Sequence, residues 1–321
     1  MSKILITGAN GFVGQALCKR LREGGDHMLT GSTRNADLGA GPERVPMYHI
    51  PEIGPDTDWS QAVSGADSVI HLAARVHVMK DRAADPLAEF RRVNTAGTKT
   101  LAVQAAAAGV KRFVFISTVK VTGENSPEGG FTENDPAKPE DAYGQSKWEA
   151  EQALTEIAQT TGLEVVILRP PLVYGPGVKG NFLSLFAAIQ KGTPLPLGAI
   201  QNKRSLLYVE NLADAIATAA EHPRAANQTF FVSDMEAVST PALIQKIAAA
   251  LEKACRLTNF PLGLLKFAGA LTGKSAAIRR LVGSLTVDIS HIKTMLGWQP
   301  RCSMDQGLKE TANWFKNNSA K

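Results

Sequence analysis

The stretch "KILITGANGFVGQAL", Lys3–Leu17, decides the fold. Its first residues are an apolar, β-branched run, and its last residues switch to a helical period. Between them stand Gly8, Gly11 and Gly14, each three residues from the next. This spacing differs from G-x-G-x-x-G, but the physics is shared. One glycine lets the chain turn tightly after a strand, one lets backbone approach a pyrophosphate, and one lets helix and strand pack closely. Three glycines in a turn without a ligand would cost chain entropy for nothing. Gly8, Asn10, Gly11, Phe12, Val13 and Gly14 therefore read as a dinucleotide phosphate loop, with the following helix N-terminus facing the anion.

Outward from this unit, short apolar runs alternate with helical patterns. Strands are expected at Lys3–Thr7, His27–Ser32, Ser68–Leu72, Arg112–Ser117, Glu164–Arg169 and Thr229–Ser233. Helices are expected at Phe12–Glu23, Pro86–Ala108, Tyr143–Thr161 and Val209–His222, with Gly109 ending the second. The alternation predicts an α/β, Rossmann-like, doubly wound parallel sheet with a smaller substrate-binding lobe. "RPPLVYGPGVKG", after Arg169, reads as a loop. The dinucleotide-binding part is expected at 1–170 plus about 205–235, and the lobe at about 171–204 and 236–321.

Composition narrows the function. The 321 residues are 44% hydrophobic and 20% charged, as in a globular protein. The excess of Lys and Arg over Asp and Glu, 35 against 30, forms no long run. It suits an anionic small ligand and gives no footprint for nucleic acid. Cys18, Cys255 and Cys302 are too scattered for a disulfide framework or a zinc site, and no metal is expected. No secretory signal opens the chain and no apolar run is long enough to span a bilayer, so a cytoplasmic protein is expected. The apolar stretch "NFPLGLLKFAGALTG", residues 259–273, is interrupted by Pro261, Gly263, Lys266 and Gly269 and reads as a packed or lid-forming helix.

The turn after the second strand, "TGSTRNAD", places Ser32, Thr33 and Arg34 where a carboxylate would take the ribose hydroxyls of NAD; none occurs before Asp37. A hydroxyl beside Arg34 suits a 2′-phosphate, so NADP is expected ahead of NAD.

Further on, "EDAYGQSKWEAE" sets Tyr143 and Lys147 four residues apart. On a helix their Cβ atoms lie about 6 Å apart. A nearby ammonium favours phenolate, which turns tyrosine into a general acid/base for a hydroxyl proton. "FVFISTVKVTGE" ends a strand in Ser117 and Thr118, at the sheet edge where a ligand sits.

With "TGANGFVG", "HLAA" at His71–Ala74, Asn94 in "VNTAGT", "YGQSK" and "RPPLVYGPG" in this order, the chain resembles the extended short-chain dehydrogenase/reductases. Within them it is most similar to the nucleotide-sugar epimerase/dehydratase group, over nearly its whole length. "HLAARVHVMKD" and "STVKVTGE" resemble the UDP-glucose 4-epimerase-like branch, which includes the UDP-N-acetylquinovosamine dehydrogenases, 4-ketoreductases of bacterial surface polysaccharide synthesis. The resemblance implies that Tyr143 is the acid/base, that Lys147 holds the nicotinamide ribose and lowers the tyrosine pKa, and that Thr118 is the catalytic hydroxyl with Ser117 beside it. Leu72, Ala73 and Ala74 would line the cofactor, Asn94 would support its nicotinamide side, and Pro170, Pro171 and Leu172 would wall the ring. Asn181, Arg204 and Arg280 would bind the nucleotide diphosphate. Two features depart from the group: Pro171-Leu172 stands where 4-epimerases often carry Asn, and the acidic residue after the second strand is missing. The acid pair usual in 4,6-dehydratases is replaced by Val119 and Lys120.

The expected activity is oxidoreduction at C4 of a UDP-linked sugar. Arg34 favours reduction of a 4-keto sugar, a 2-acetamido-2,6-dideoxy sugar, by exchangeable NADPH. A 4-epimerase that keeps NAD bound uses the same apparatus. A non-catalytic NADP-binding sensor or scaffold is the rival of another class, and the presence of Tyr143 and Lys147 weighs against it. Asn181 and Arg204 weigh against a steroid or phenylpropanoid reductase, whose substrate has no diphosphate. The resemblance further implies a homodimer built from helices Pro86–Ala108 and Tyr143–Thr161.

Overall fold

A computed structural model describes residues 2–25, 27–35, 41–76, 85–264 and 275–319. Seven strands form one parallel sheet: β1 (Lys3–Thr7), β2 (Met28–Thr33), β3 (Met47–His49), β4 (Ser68–His71), β5 (Arg112–Ile116), β6 (Glu164–Arg169) and, after two strands of another sheet, β9 (Gln228–Phe231). Their order is β3-β2-β1-β4-β5-β6-β9. Every pairing in this sheet is parallel.

The strands are apolar on both sides because both faces are covered. Ile4, Ile6 and Val114 pack on one face with Leu17, Leu21, Leu212 and Ile216, from α1 (Phe12–Gly24) and α7 (Val209–Glu221). Leu5, Phe113 and Phe115 pack on the other with Leu101, Ala105 and Leu154. Those come from α4 (Gly97–Ala107), the continuation of α3 (Pro86–Phe90), and from α5 (Ala142–Thr161). Between α3 and α4, Arg91–Ala96 winds as a π-helix within an unbroken helical run. The π turn shifts register and turns Asn94 into the protein interior.

A three-stranded sheet, ordered β10-β8-β7, stands apart: β7 is Leu172–Tyr174, β8 Arg204–Tyr208 and β10 Ala237–Val238. It packs with α6 (Gly180–Gln190), α8 (Thr240–Leu251) and the last helix, Met304–Ser319, around Tyr174, Phe186, Leu206 and Phe315. Buried Asn202 joins this region together. Its amide donates to the carbonyls of Leu281 and Gly283 (3.1 and 3.2 Å) and accepts from Thr240 N (2.8 Å).

All six expected strands and four expected helices form, with ends shifted by one or two residues and Gly109 at φ +79 past the second helix. The reading of "RPPLVYGPGVKG" as wholly loop is corrected, since Leu172–Tyr174 pairs in parallel with Leu206–Tyr208. Proline and glycine around three residues hid a strand whose ladder lies far away in sequence. Strands Met47–His49, Arg204–Tyr208 and Ala237–Val238 also escaped the pattern reading. Of the apolar stretch 259–273, residues 265–273 lie outside the described residues, and Phe260 and Leu264 are exposed. Among the described residues no helix is long and apolar enough to cross a membrane.

The join of β1 to α1 leaves no room for a side chain at Gly14. A Cβ there would lie 2.2 Å from Gly8 O and 2.5 Å from Ala9 O. Both are backbone atoms, so the strand and helix would have to part. Gly14→Ala is expected to lose at least about 1–3 kcal/mol of stability. Denaturant unfolding checks it, and a wild-type midpoint would refute the packing argument.

Candidate active site

β1 and β4 are neighbours from which the chain proceeds toward opposite edges, and their C-terminal ends form the switch point of the sheet. Gly8, at φ +71, brings the loop after β1 against the segment after β4. A Cβ on it would lie 3.0 Å from Ala73 N. The loop closes through Gly11 N to Gly8 O (2.9 Å), and Leu72 N donates to Thr7 O (3.2 Å). Helix α1 then begins with no acidic residue in its first turn. Its free N–H groups and positive dipole end suit a phosphate.

A buried chain of side chains ties the two strands together. The Thr7 hydroxyl accepts from Ala73 N (3.1 Å) and bonds His71 Nδ1 (2.7 Å), and His71 Nε2 meets the Thr98 hydroxyl (3.0 Å). Burial, reinforced by the Lys147 charge, pulls the His71 pKa down to about 3, so the ring is neutral. The sequence motif contained His71 but gave no sign of this role.

At the end of β2, Ser32 and Thr33 are buried and Arg34 is exposed. The Thr33 hydroxyl accepts from Asn35 N (3.1 Å) and Asn10 Nδ2 (3.5 Å), linking this turn to the phosphate loop. Phe12 approaches Gly177, whose Cβ would lie 3.5 Å from its ring. Val13 packs against the cluster around Tyr174.

Tyr143 and Lys147 lie on the first two turns of α5. Asp141 caps that helix, its Oδ1 accepting from Gly144 N (2.7 Å). Half-buried Tyr143 meets the edge of Phe90 at 6.1 Å. Arg75 lies over the same Phe90 ring at 5.4 Å. Lys147 is buried, with Nζ 3.9 Å above the Phe115 ring centre. Desolvation, partly offset by Glu151, pulls its pKa down to about 7. One turn on, Glu151 pairs with Arg169 in the interior through contacts of 2.5 and 3.0 Å. Neither this pair nor the Lys147–Phe115 contact had a signal in spacing.

In the protein without ligand other effects dominate the Tyr143 phenol. Burial, and then the Asp141 charge, push the phenol above its ordinary value. Desolvation is the largest cause for each group, and the added positive charge of a bound nicotinamide would favour the phenolate.

Thr118 caps the short turn Val119–Val121. Val119 N donates to Pro170 O (3.0 Å), which fixes that turn beside the end of β6. The Lys120 carbonyl lies under Gly144, where a Cβ would approach to 2.9 Å. The structure thus brings Ser117, Thr118, Tyr143, Lys147 and Pro170 to one corner, with Leu172 half-exposed on β7 nearby in sequence. Ser117 Oγ is buried without a hydrogen-bond partner among the described residues, a hydroxyl left over for a ligand. This orphan and the glycine cradle fit a dinucleotide. Asn94 is buried in the π turn. Its amide donates to Arg75 O and Ser146 Oγ (both 3.0 Å) and accepts from Arg75 N (2.8 Å). It clamps the segment after β4 onto α5.

Asn181 is exposed in the first turn of α6. Arg204 begins β8 and donates to Gly283 O (3.1 Å). Arg280 lies on the helix Ser275–Val282, but its side chain lies outside the described residues, as do Ala74's distant followers in "HLAARVHVMKD" from His77 on.

The model of the NAD dependent epimerase/dehydratase family matches residues 4–232. A UDP-glucose 4-epimerase of Vibrio cholerae is 46% identical, over 97% of this chain and 95% of its own. Among solved structures, a UDP-N-acetylglucosamine 4-epimerase from Methanobrevibacter ruminantium M1, in complex with UDP-N-acetylmuramic acid, superposes with a TM-score of 0.80 at 22% identity, covering 99% of each chain. MoeE5 in complex with UDP-glucuronic acid and NAD gives a TM-score of 0.78 at 23% identity, covering 98% of this chain and 99% of that one.

The buried ammonium generates a test of sign. Its folded-state pKa, about 7, lies below the ordinary 10.5. Across that window the unfolded chain holds the proton more tightly, so without ligand this group's contribution to stability rises with pH. Lys147→Met is expected to melt above wild type near neutral pH, with the gap closing toward about pH 10. Melting curves across that range check it, and a gap that widens with pH would contradict the assignment.

Proposed function

The chain belongs to the NAD dependent epimerase/dehydratase family, and from that premise we propose that it is a 4-epimerase of a UDP-linked hexose that keeps NAD in its site. The observation that carries oxidoreduction at C4 is the corner where the Thr118 turn, anchored on Pro170 and Asp141, is held against the helix of Tyr143 and Lys147. The Vibrio cholerae relative, a UDP-glucose 4-epimerase similar over nearly the whole chain, supports inversion rather than net reduction.

Gly8, Asn10, Gly11, Phe12, Val13 and Gly14 would hold the pyrophosphate, with Leu72, Ala73 and Ala74 beside it and Pro170 and Leu172 against the nicotinamide. NAD bound there would accept the C4 hydrogen as hydride and later return it. Tyr143 takes the proton from the sugar's O4 and gives it back to the same oxygen, and Thr118 holds that oxygen by a hydrogen bond. Lys147 holds the ribose and favours the phenolate. Asn181, Arg204 and Arg280 hold the diphosphate while the sugar turns its other face. The residues 171–204 and 236–321 serve as the substrate lobe in this reading.

A second reading, reduction of a UDP-4-keto sugar by exchangeable NADPH, has one observation in its favour. Arg34 is exposed beside a turn whose described residues carry no carboxylate. Exposed Val103 on α4 fits a homodimer through the α4 and α5 helices, the association we propose for either reading.

The purified protein is expected to carry nicotinamide and to convert UDP-glucose or UDP-N-acetylglucosamine into its C4 epimer without net cofactor change. Turnover that requires added NADPH and a 4-keto sugar would establish the second reading instead. Tyr143→Phe is expected to lower the rate by about 10²–10⁴-fold with cofactor affinity nearly unchanged. A variant that keeps most of its rate would remove Tyr143 from its role.

A further inference from the structure

Lys120 stands in the turn between Thr118 and the helix of Tyr143. Its Nζ lies 2.6 Å from Asp141 Oδ2 and 2.9 Å from Glu124 Oε1. The ammonium is 26% exposed, and the two carboxylates are 23% and 12% exposed, so the cluster is partly withdrawn from solvent. Asp141 works in two directions. One oxygen caps the helix at Gly144 N (2.7 Å), the residue after Tyr143, and the other pairs with Lys120. The Lys120 carbonyl lies against Gly144 on the same first turn. Backbone and side chain of one residue therefore both dock the Thr118 turn onto the start of the tyrosine helix.

The site gives this cluster an electrostatic task. Asp141 is required as a cap, yet its charge disfavours phenolate at Tyr143. A cation on its other oxygen, Lys120 Nζ at 2.6 Å, offsets that charge without disturbing the cap. We propose that Lys120 is a positioning residue that sets the proton affinity of Tyr143, by neutralising Asp141 and by locking the Thr118 turn onto the helix of the tyrosine. The inference rests on the reading of Tyr143 as the acid/base.

The other groups facing Tyr143 among the described residues have fixed signs. Lys147 on its own helix and Arg75, above the Phe90 ring that touches Tyr143, favour phenolate. Glu140, whose carboxylate accepts from Glu124 N, and Glu124 oppose it. His71 on β4 is neutral. Lys120 is bonded to both the turn's Glu124 and the helix cap Asp141, so removing its charge withdraws one positive partner from each carboxylate.

The test is a phenolate titration by ultraviolet absorbance of the full chain saturated with NAD, taken as the difference from Tyr143→Phe. Lys120→Met is expected to raise the Tyr143 pKa by on the order of one unit. Lys120→Arg, which keeps the charge, restores the wild-type value. Asp141→Asn retains a capping side chain and is expected to lower the pKa. A merely structural role for Lys120 gives no such pair of opposite shifts. Lys120→Gln, read the same way, replaces the Met variant if that one fails to melt cooperatively. Unchanged titration in the Met or Gln variant, shifts of one sign in the Lys120 and Asp141 variants, or a wild-type phenol that stays protonated beyond about pH 10 with NAD bound would each overturn the inference. No sugar enters the measurement. A failure of the 4-epimerase reading shows instead as absence of epimer, with the phenol shifts intact.

Discussion

The ammonium of Lys147 is buried, and the arrangement around it follows from that constraint. A charge taken out of water costs several kcal/mol unless its surroundings compensate. Phe115 offers a ring face 3.9 Å away, and Glu151 supplies negative charge one helical turn on. Glu151 could not be buried alone, so Arg169 at the end of β6 pairs with it and lies near Phe231. On the opposite side His71 stays neutral, because a second positive charge there would compound the cost. The end of β4, the end of β5, the end of β6 and helix α5 are thus held in one electrostatic arrangement.

Much of the fold was legible because its determinants are local. The β1 to α1 unit announces itself by three glycines whose positions exclude side chains, and the central strands by apolar runs that need cover on both faces. What escaped was stabilised from far away. Leu172–Tyr174 becomes a strand only because Leu206–Tyr208 lies beside it. Flanked by prolines and glycines, it carries no propensity that competes with a loop reading. The π turn at Arg91–Ala96 is invisible to a period of 3.6, yet it turns Asn94 inward to its clamp on Arg75 and Ser146.

The candidate site divides in the same way. That Thr118, Tyr143 and Lys147 meet at one corner was expected from the spacing of Tyr143 and Lys147 and from the family resemblance of the Thr118 segment. Their electrostatics were not, because spacing cannot report burial. Two residues that attract each other on an exposed helix can each be driven toward neutrality when the same helix is packed under a sheet edge. The counter-charges that govern the outcome, Asp141, Lys120, Glu151 and Arg169, come from three segments that only the fold brings together.

The two ends of the proposed cofactor site differ in a way that bears on inversion against reduction. The reacting end is built around buried Lys147, Ser117 and Thr118 and serves either reaction, since each half of an inversion, like a reduction, moves one proton at O4 and one hydride at C4. Nothing in the Tyr143 corner therefore separates them. The adenosine end is where they part, because an epimerase must retain its dinucleotide through every turnover and a reductase must release it. There the turn after β2 is tied to the phosphate loop by the Thr33–Asn10 contact, while Arg34 stands exposed. A contact that joins the two loops favours retention, and an exposed guanidinium that can meet a 2′-phosphate favours exchange. The distinction between the two readings thus falls at the end of the proposed site farthest from the Tyr143 corner.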